Sequence, residues 1–96
     1  MEAEIARLAG HVADQLAARG LAGRTVTLKV RYPDFRTVTR SHTAERPQSR
    51  AAPLAERARA LLGRTEAPAL GARLLGVTVS SLEEDGGGPE QLGLFG

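Results

Sequence analysis

The hydrophobic residues of this chain change their spacing abruptly, and this change limits the folds that the chain can adopt. Over Glu2–Arg19, apolar side chains recur every three or four residues, which is the spacing of a helix with one buried stripe. From Thr25 to Tyr32, apolar and polar residues alternate, as in a strand with one buried face. The sequence therefore predicts an amphipathic helix followed by a strand whose second face is left uncovered.

Further elements follow in the same chain order. Pro33-Asp34 predicts a turn, and Arg36–Thr43 predicts a second strand that completes a hairpin. A second helix is expected to begin near Pro53 and to end at Gly63, and Arg73–Leu82 predicts a third strand. The expected fold class is α+β, with two helices packed on one face of a small, mostly antiparallel sheet.

Charge divides the chain into a body and a tail. Residues 1–82 carry 13 basic and 7 acidic side chains, whereas residues 83–96 carry 4 acidic side chains and no basic one. We expect residues 1–82 to form one domain and residues 83–90, which are acidic and glycine-rich, to form a flexible tether. Residues 91–96 are apolar for a free tail, and they are expected to bind a partner.

The uncovered face of the predicted sheet is the candidate binding surface. Alternation places Lys29 and Arg31 on this face together with threonine hydroxyls. Such groups follow a phosphate backbone without reading bases, so the pattern indicates non-specific DNA binding. The simpler alternative, a solvated polar face, stays open and is favoured for Thr25 and Thr27.

The sequence offers little for catalysis or metal binding. It contains no cysteine, and His11 and His42 lie far apart without acidic partners at ligand spacing. No nucleophile and base are arranged for covalent chemistry. We therefore expect no catalytic residue, metal site or cofactor in this chain. No apolar run reaches the length of a membrane helix, and a cytoplasmic location is expected.

Four segments together resemble one family. Val26–Phe35 (VTLKVRYPDF) and Thr37–Thr43 (TVTRSHT) resemble the strand pair of the little-finger domain of Y-family DNA polymerases of the bacterial polymerase IV type. Arg73–Leu82 (RLLGVTVSSL) is similar to the last strand of that domain. Gln91–Phe95 (QLGLF) resembles the peptide by which these polymerases bind the sliding clamp.

The resemblance implies a non-catalytic domain of a translesion polymerase, which grips the template and primer backbones and tethers the enzyme to the clamp. The Mg²⁺ of such an enzyme is expected in a palm domain that this chain does not match, and the location is expected to be the bacterial cytoplasm, at the nucleoid. Whether the chain itself counts as an enzyme stays open. The DNA-binding residues that the resemblance implies, beside Lys29 and Arg31, are Thr39, Arg40, Ser41, Arg73, Thr78 and Ser80. The implied clamp-binding residues are Gln91, Leu92, Leu94 and Phe95.

The chain departs from the family pattern at its start. The family's domain begins with a strand before its first helix, whereas this chain begins at the helix, so the first strand of the fold is expected to be missing. An unfilled strand position leaves a bare backbone edge, and a strand-paired dimer is then expected. The alternative function is a stand-alone, truncated relative that binds the clamp or DNA without polymerising.

Overall fold

A three-stranded sheet forms the frame of the molecule in a computed structural model that describes residues 1–84. Its strands lie in the order β2-β1-β3, and β1 pairs antiparallel with both neighbours. The elements in chain order are α1 (Glu2–Arg19), β1 (Leu21–Arg31), β2 (Thr37–Gln48), α2 (Ala51–Leu62), α3 (Ala67–Leu70) and β3 (Leu74–Glu84). This arrangement confirms the predicted α+β class. The predicted clamp-binding peptide lies outside the described residues.

Helix α1 has the predicted bounds because its sequence marks both ends. Glu2 and Glu4 lie in the first turn, where negative charge is favourable, and Arg19 lies in the last turn. Gly20 ends the helix in the left-handed conformation with a φ of 64°, and its N–H donates to the carbonyl of Ala17 at 3.2 Å. No helix within residues 1–84 is long and apolar enough to cross a membrane.

The core lies between the helices and the inner face of β1. Val26, Leu28 and Val30 of β1 are fully buried, as the alternation predicted. They pack with residues of α1 and α2 in one cluster that includes Ile5 and Leu54. Burial of each side chain of this size contributes about 1.5–3 kcal/mol to the free energy of folding. This apolar layer holds both helices on one side of the sheet, and the other side stays uncovered.

The strands are longer than the sequence predicted. β1 begins at Leu21 because Ala22 and Gly23 are buried in the sheet, and β2 continues to Gln48 after an irregular register near Gly23. The tether was predicted to begin at residue 83, and in the structure β3 runs to Glu84. Glu83 and Glu84 continue β3 because they pair with Ala22 and Leu21 of β1, and Glu83 Oε2 lies 2.9 Å from Arg24 Nε.

The single-turn helix α3 was not predicted, and it depends on a contact distant in sequence. Tyr32 is 2% exposed at the end of the apolar row of β1. Its hydroxyl accepts a hydrogen bond of 3.0 Å from the backbone N–H of Glu66, directly before α3. The buried tyrosine thus satisfies its polar atom by fixing the loop that leads to β3.

At Gly23 the sheet leaves no space for a side chain. A Cβ atom at this position would meet Val79 Cγ1 and would lie 2.9 Å from the carbonyl oxygen of Ser80. We expect Gly23→Ala to lower the free energy of unfolding by about 2 kcal/mol, because backbone atoms of β3 must move. Urea denaturation would measure this.

Gly10→Ala is the matched control. Gly10 lies within α1, and no atom lies within 4 Å of a Cβ placed there. Alanine should therefore raise the free energy of unfolding by about 0.5–1 kcal/mol. Equal stability of the two variants would contradict the packing described for Gly23.

Candidate nucleic-acid interface

The uncovered side of the sheet, here called the open face, is defined by the strand register. Residues directly opposite each other in an antiparallel ladder point to the same side, so the partners of the odd-numbered residues of β1 share one face. The open face consists of Thr25, Thr27, Lys29 and Arg31 of β1, Thr37, Thr39, Ser41 and Thr43 of β2, and Leu74, Gly76, Thr78 and Ser80 of β3. Most of these positions are hydroxylic or basic, and none is acidic.

Side-chain hydrogen bonds support this assignment at both ends of the open face. At one end, Arg31 Nε donates to Thr37 Oγ1 at 3.2 Å. At the other end, Thr25 Oγ1 lies 2.9 Å from Thr43 Oγ1. It also lies 2.9 Å from the Oγ of Ser81, which leaves the regular strand alternation with a positive φ of 57°. Side chains that are hydrogen-bonded across strands lose less freedom when a ligand arrives, so these two rows are partly ordered in advance.

The centre of the open face is free to bind a partner. Within residues 1–84, the side chains of Lys29, Ser41 and Thr78 take part in none of the hydrogen bonds or ion pairs of the structure. Gly76, opposite Lys29, adds no side chain above the sheet there. The middle rows thus combine an ammonium group with hydroxyl donors at a place where a backbone can approach closely.

Several acidic groups form ion pairs away from this surface. In the described part of the chain, Glu4 pairs with Arg7 on α1 at 2.6 Å, and Glu83 pairs with Arg24 beyond the end of the open face. At the hairpin turn, Asp34 Oδ2 lies 2.7 Å from Arg36 Nε. Hydrogen bonds from the backbone N–H and the guanidinium of Arg36 lower the pKa of the Asp34 carboxyl. The positive charges of Lys29 and Arg31 consequently have no carboxylate beside them in the ladder.

The structure brings six of the eight predicted DNA-binding residues together. These six lie on the open face and are Lys29, Arg31, Thr39, Ser41, Thr78 and Ser80. Arg73 stands directly before β3, and its backbone N–H donates to the carbonyl of Arg31 at 2.7 Å. It therefore lies at the hairpin end of the open face, close to the last row.

Arg40 is placed differently from its neighbours. It stands opposite Leu28, so it belongs to the helix side of edge strand β2, whereas Thr39 and Ser41 point to the open face. Its Nη1 donates to the carbonyl of Thr39 at 2.8 Å, which holds the guanidinium at the strand edge. Arg40 can therefore reach a ligand on the open face only around the edge of β2. Thr39, Arg40 and Ser41 do not all point to the same face of the sheet.

Sequence reasoning missed Arg57, which joins α2 to the sheet where the β1–β2 ladder is irregular. Its Nη2 donates to the carbonyl of Arg24 at 2.6 Å and to that of His42 at 2.9 Å. Burial lowers the pKa of the Arg57 guanidinium. No periodicity signals this role, because it depends on two backbone carbonyl groups that lie far from Arg57 in the sequence.

Sequence reasoning also gave no role to Phe35. This residue adopts a positive φ of 72° at the hairpin turn, and its side chain is 61% exposed. The signal was present in the sequence, since phenylalanine follows Pro33-Asp34 where such turns favour glycine. Among residues 1–84, no group of three or more histidine, aspartate and glutamate side chains is placed to hold a metal ion.

Comparison with known proteins identifies the chain. Residues 1–94 match the family model of the impB/mucB/samB family C-terminal domain. The chain belongs to this family. The match confirms the resemblance to the C-terminal domain of Y-family DNA polymerases that the strand motifs indicated.

Several relatives in this family are DNA polymerase IV enzymes of bacteria. The chain is 56% identical over 78 residues to that of Alkalilimnicola ehrlichii, covering 81% of this chain and 22% of the relative. It is 46% identical over 81 residues to that of Streptomyces coelicolor, covering 84% of this chain and 17% of the relative. For Halorhodospira halophila the identity is 43% over 79 residues, with 82% and 22% covered. The chain thus spans about a fifth of these relatives' length.

Proposed function

We propose that this impB/mucB/samB family C-terminal domain grips the phosphate backbones of a primer–template duplex, as the non-catalytic DNA-binding part of a translesion polymerase of the polymerase IV type. The observation that carries the proposal is the open face, whose three strands combine Lys29 and Arg31 with hydroxyl side chains and no acidic one. The names of the relatives support the choice of DNA as the polyanion.

The chemistry of the open face suits a sequence-independent grip. Lysine and arginine attract phosphates by charge, and threonine and serine hydroxyls donate hydrogen bonds to phosphate oxygens. Asparagine and glutamine, which recognise adenine by bidentate hydrogen bonds, do not occur among the residues of the open face. A polymerase that copies damaged templates requires contacts of this kind, because they do not depend on the template base.

Titration of the full chain with duplex DNA tests the grip. We expect association constants that are similar for unrelated sequences and that fall linearly in log K against log salt, with a slope of about −0.9 for each phosphate contacted. Fluorescence anisotropy at several salt concentrations measures both properties. Strong preference for one sequence, or affinity that salt does not change, would contradict the proposal.

We further propose that Gln91, Leu92, Leu94 and Phe95 bind the bacterial sliding clamp. Gln91 orients the peptide backbone by hydrogen bonds, and the three large apolar side chains fill a groove on the clamp. Gly93 between them permits this conformation but has more backbone freedom to lose on binding. The tether raises the effective concentration of the peptide at the clamp while the domain holds DNA.

We also propose that the free edge of β3 pairs with a second copy when no other strand covers it. Within residues 1–84, β3 pairs with β1 alone, and Val77 and Val79 beside its outer edge are only half-buried. Exposed strand edges are templates for pairing. Sedimentation of the full chain should therefore show concentration-dependent dimers. A monomer at every concentration would rule this out.

A further inference from the structure

The hairpin turn between β1 and β2 holds an aromatic residue in a backbone conformation that favours glycine. The Phe35 N–H donates to the carbonyl of Tyr32 at 2.9 Å, and the Tyr32 N–H donates to the carbonyl of Arg36 at 2.8 Å. This is a turn followed by a left-handed residue, and Phe35 occupies the left-handed position with its φ of 72°. Side chains with a Cβ atom are strained there, and glycine is not.

The fold does not explain why phenylalanine stands at this position. Its ring is 61% exposed and is not part of the core cluster. The guanidinium of Arg73 lies over the ring, with its Cζ 4.4 Å from the ring centroid. A strained residue with an exposed aromatic ring is typical of a binding site, since neither feature serves stability.

The position of the Phe35–Arg73 pair points to a nucleic acid as the ligand. Arg73 is hydrogen-bonded through its backbone to Arg31, which lies in the last row of the open face beside Thr37 and Leu74. The one acidic residue of the turn, Asp34, is already paired with Arg36. No carboxylate of residues 1–84 forms an ion pair with Arg73, so the pair extends the basic open face with a guanidinium and an aromatic surface side by side.

We propose that the Phe35–Arg73 pair binds an unpaired nucleotide at the end of the duplex held on the open face, an inference that rests on the proposed DNA grip. The base stacks on the ring face of Phe35 that Arg73 leaves uncovered, and the guanidinium of Arg73 donates to the phosphate of the same nucleotide. Base–aromatic stacking is independent of sequence because every base has a π face. The open face then holds paired DNA, and the hairpin turn holds the first base beyond it.

The test compares a blunt duplex with the same duplex carrying a short single-stranded overhang, using the full chain and fluorescence anisotropy. Wild type should bind the overhang DNA more tightly than the blunt DNA. Phe35→Gly should reduce that preference by about 5- to 150-fold, the range for loss of one stacked base. Phe35→Trp should retain the preference. With 2-aminopurine as the first unpaired base, wild type but not Phe35→Gly should quench its fluorescence.

Thermal melting separates this loss from a loss of folding. Because glycine relieves the strained φ, Phe35→Gly should melt at the same temperature as wild type or a few degrees higher, whereas Phe35→Ala, which keeps a Cβ at that φ, should melt close to wild type and below Phe35→Gly. Both variants should lose the overhang preference. A parallel decrease of melting temperature and DNA binding in Phe35→Gly would overturn the proposal, since the ring would then be structural.

Failure of this inference is distinguishable from failure of the DNA grip. If Phe35→Gly binds both DNAs as wild type does, the ring does not stack on a base and instead contacts another partner, such as a protein surface. That result would contradict the stacking proposal and leave the proposed DNA grip unaffected. If wild type binds neither DNA, both the DNA grip and the stacking proposal are contradicted. Lys29→Gln, at the centre of the open face, should weaken binding to both DNAs by the same factor and leave the overhang preference unchanged.

Discussion

The double variant Lys29→Gln/Arg31→Gln is expected to bind duplex DNA about 200-fold more weakly than wild type at about 50 mM salt and about 20-fold more weakly at about 200 mM. Both side chains lie on the open face without a carboxylate beside them, so each is available to a phosphate. Each lost phosphate contact removes about 0.9 from the slope of log K against log salt, and the slope should therefore become about two units shallower. Anisotropy titrations across salt concentrations measure affinity and slope together.

Arg64→Gln, which removes one positive charge where the double variant removes two, is the control for general charge. Arg64 is exposed directly after α2 and Gly63, outside the open face. Neutralising it changes the net charge without removing a group from the open face, so affinity should change by about threefold or less through the long-range field alone. Equal losses in the control and the double variant would show that general charge, and not the open face, determines binding. Unchanged melting temperatures should exclude unfolding as the cause.

Deletion of Gln91–Phe95 is expected to abolish capture of the chain by immobilised sliding clamp and to leave its melting temperature unchanged. The deleted segment contains three large apolar side chains beyond the glycine-containing predicted tether, and the core cluster of residues 1–84 lies between the helices and β1. Loss of all anchors removes the binding free energy of the peptide, and a single tethered segment has no second contact to replace it.

A glycine variant and a DNA-binding measurement serve as controls for this deletion. Replacing Gly93 by alanine keeps all four proposed anchors and should preserve capture. DNA binding by the deletion variant should equal that of wild type, since the open face is untouched. A large decrease in melting temperature would instead show that the apolar tail packs on its own domain, and the clamp proposal would then lose its physical basis.

The periodicity of the sequence determined the elements and the class of the fold. Helix α1 has the predicted bounds Glu2–Arg19 because a charged first turn, an apolar stripe and Gly20 all act locally. The buried row of β1 was predicted for the same reason, since alternation allows only one face of the strand to be apolar. The family was also readable from local motifs, and the match over residues 1–94 confirmed it.

The register of β2 was decided by tertiary structure alone. This strand is polar on both sides, so its sequence does not specify which residues face the helices. Pairing with β1 placed Val38, Arg40 and His42 on the helix side and assigned the intervening hydroxyl residues to the open face. The six predicted residues that lie together on that face, and the separate position of Arg40, both follow from this pairing.

Contacts between distant residues decided the remaining features. Glu83 and Glu84 continue β3 because β1 offers them backbone partners, although their own composition favours a tether. Arg57 of α2 reaches two backbone carbonyl groups of the sheet. Phe35 lies beside Arg73 because the loop before β3 is bonded to Arg31. The sequence by itself therefore determined local elements and family, because these depend on neighbouring residues. The tertiary structure decided which charges and rings share a surface, because that depends on strand pairing across the chain.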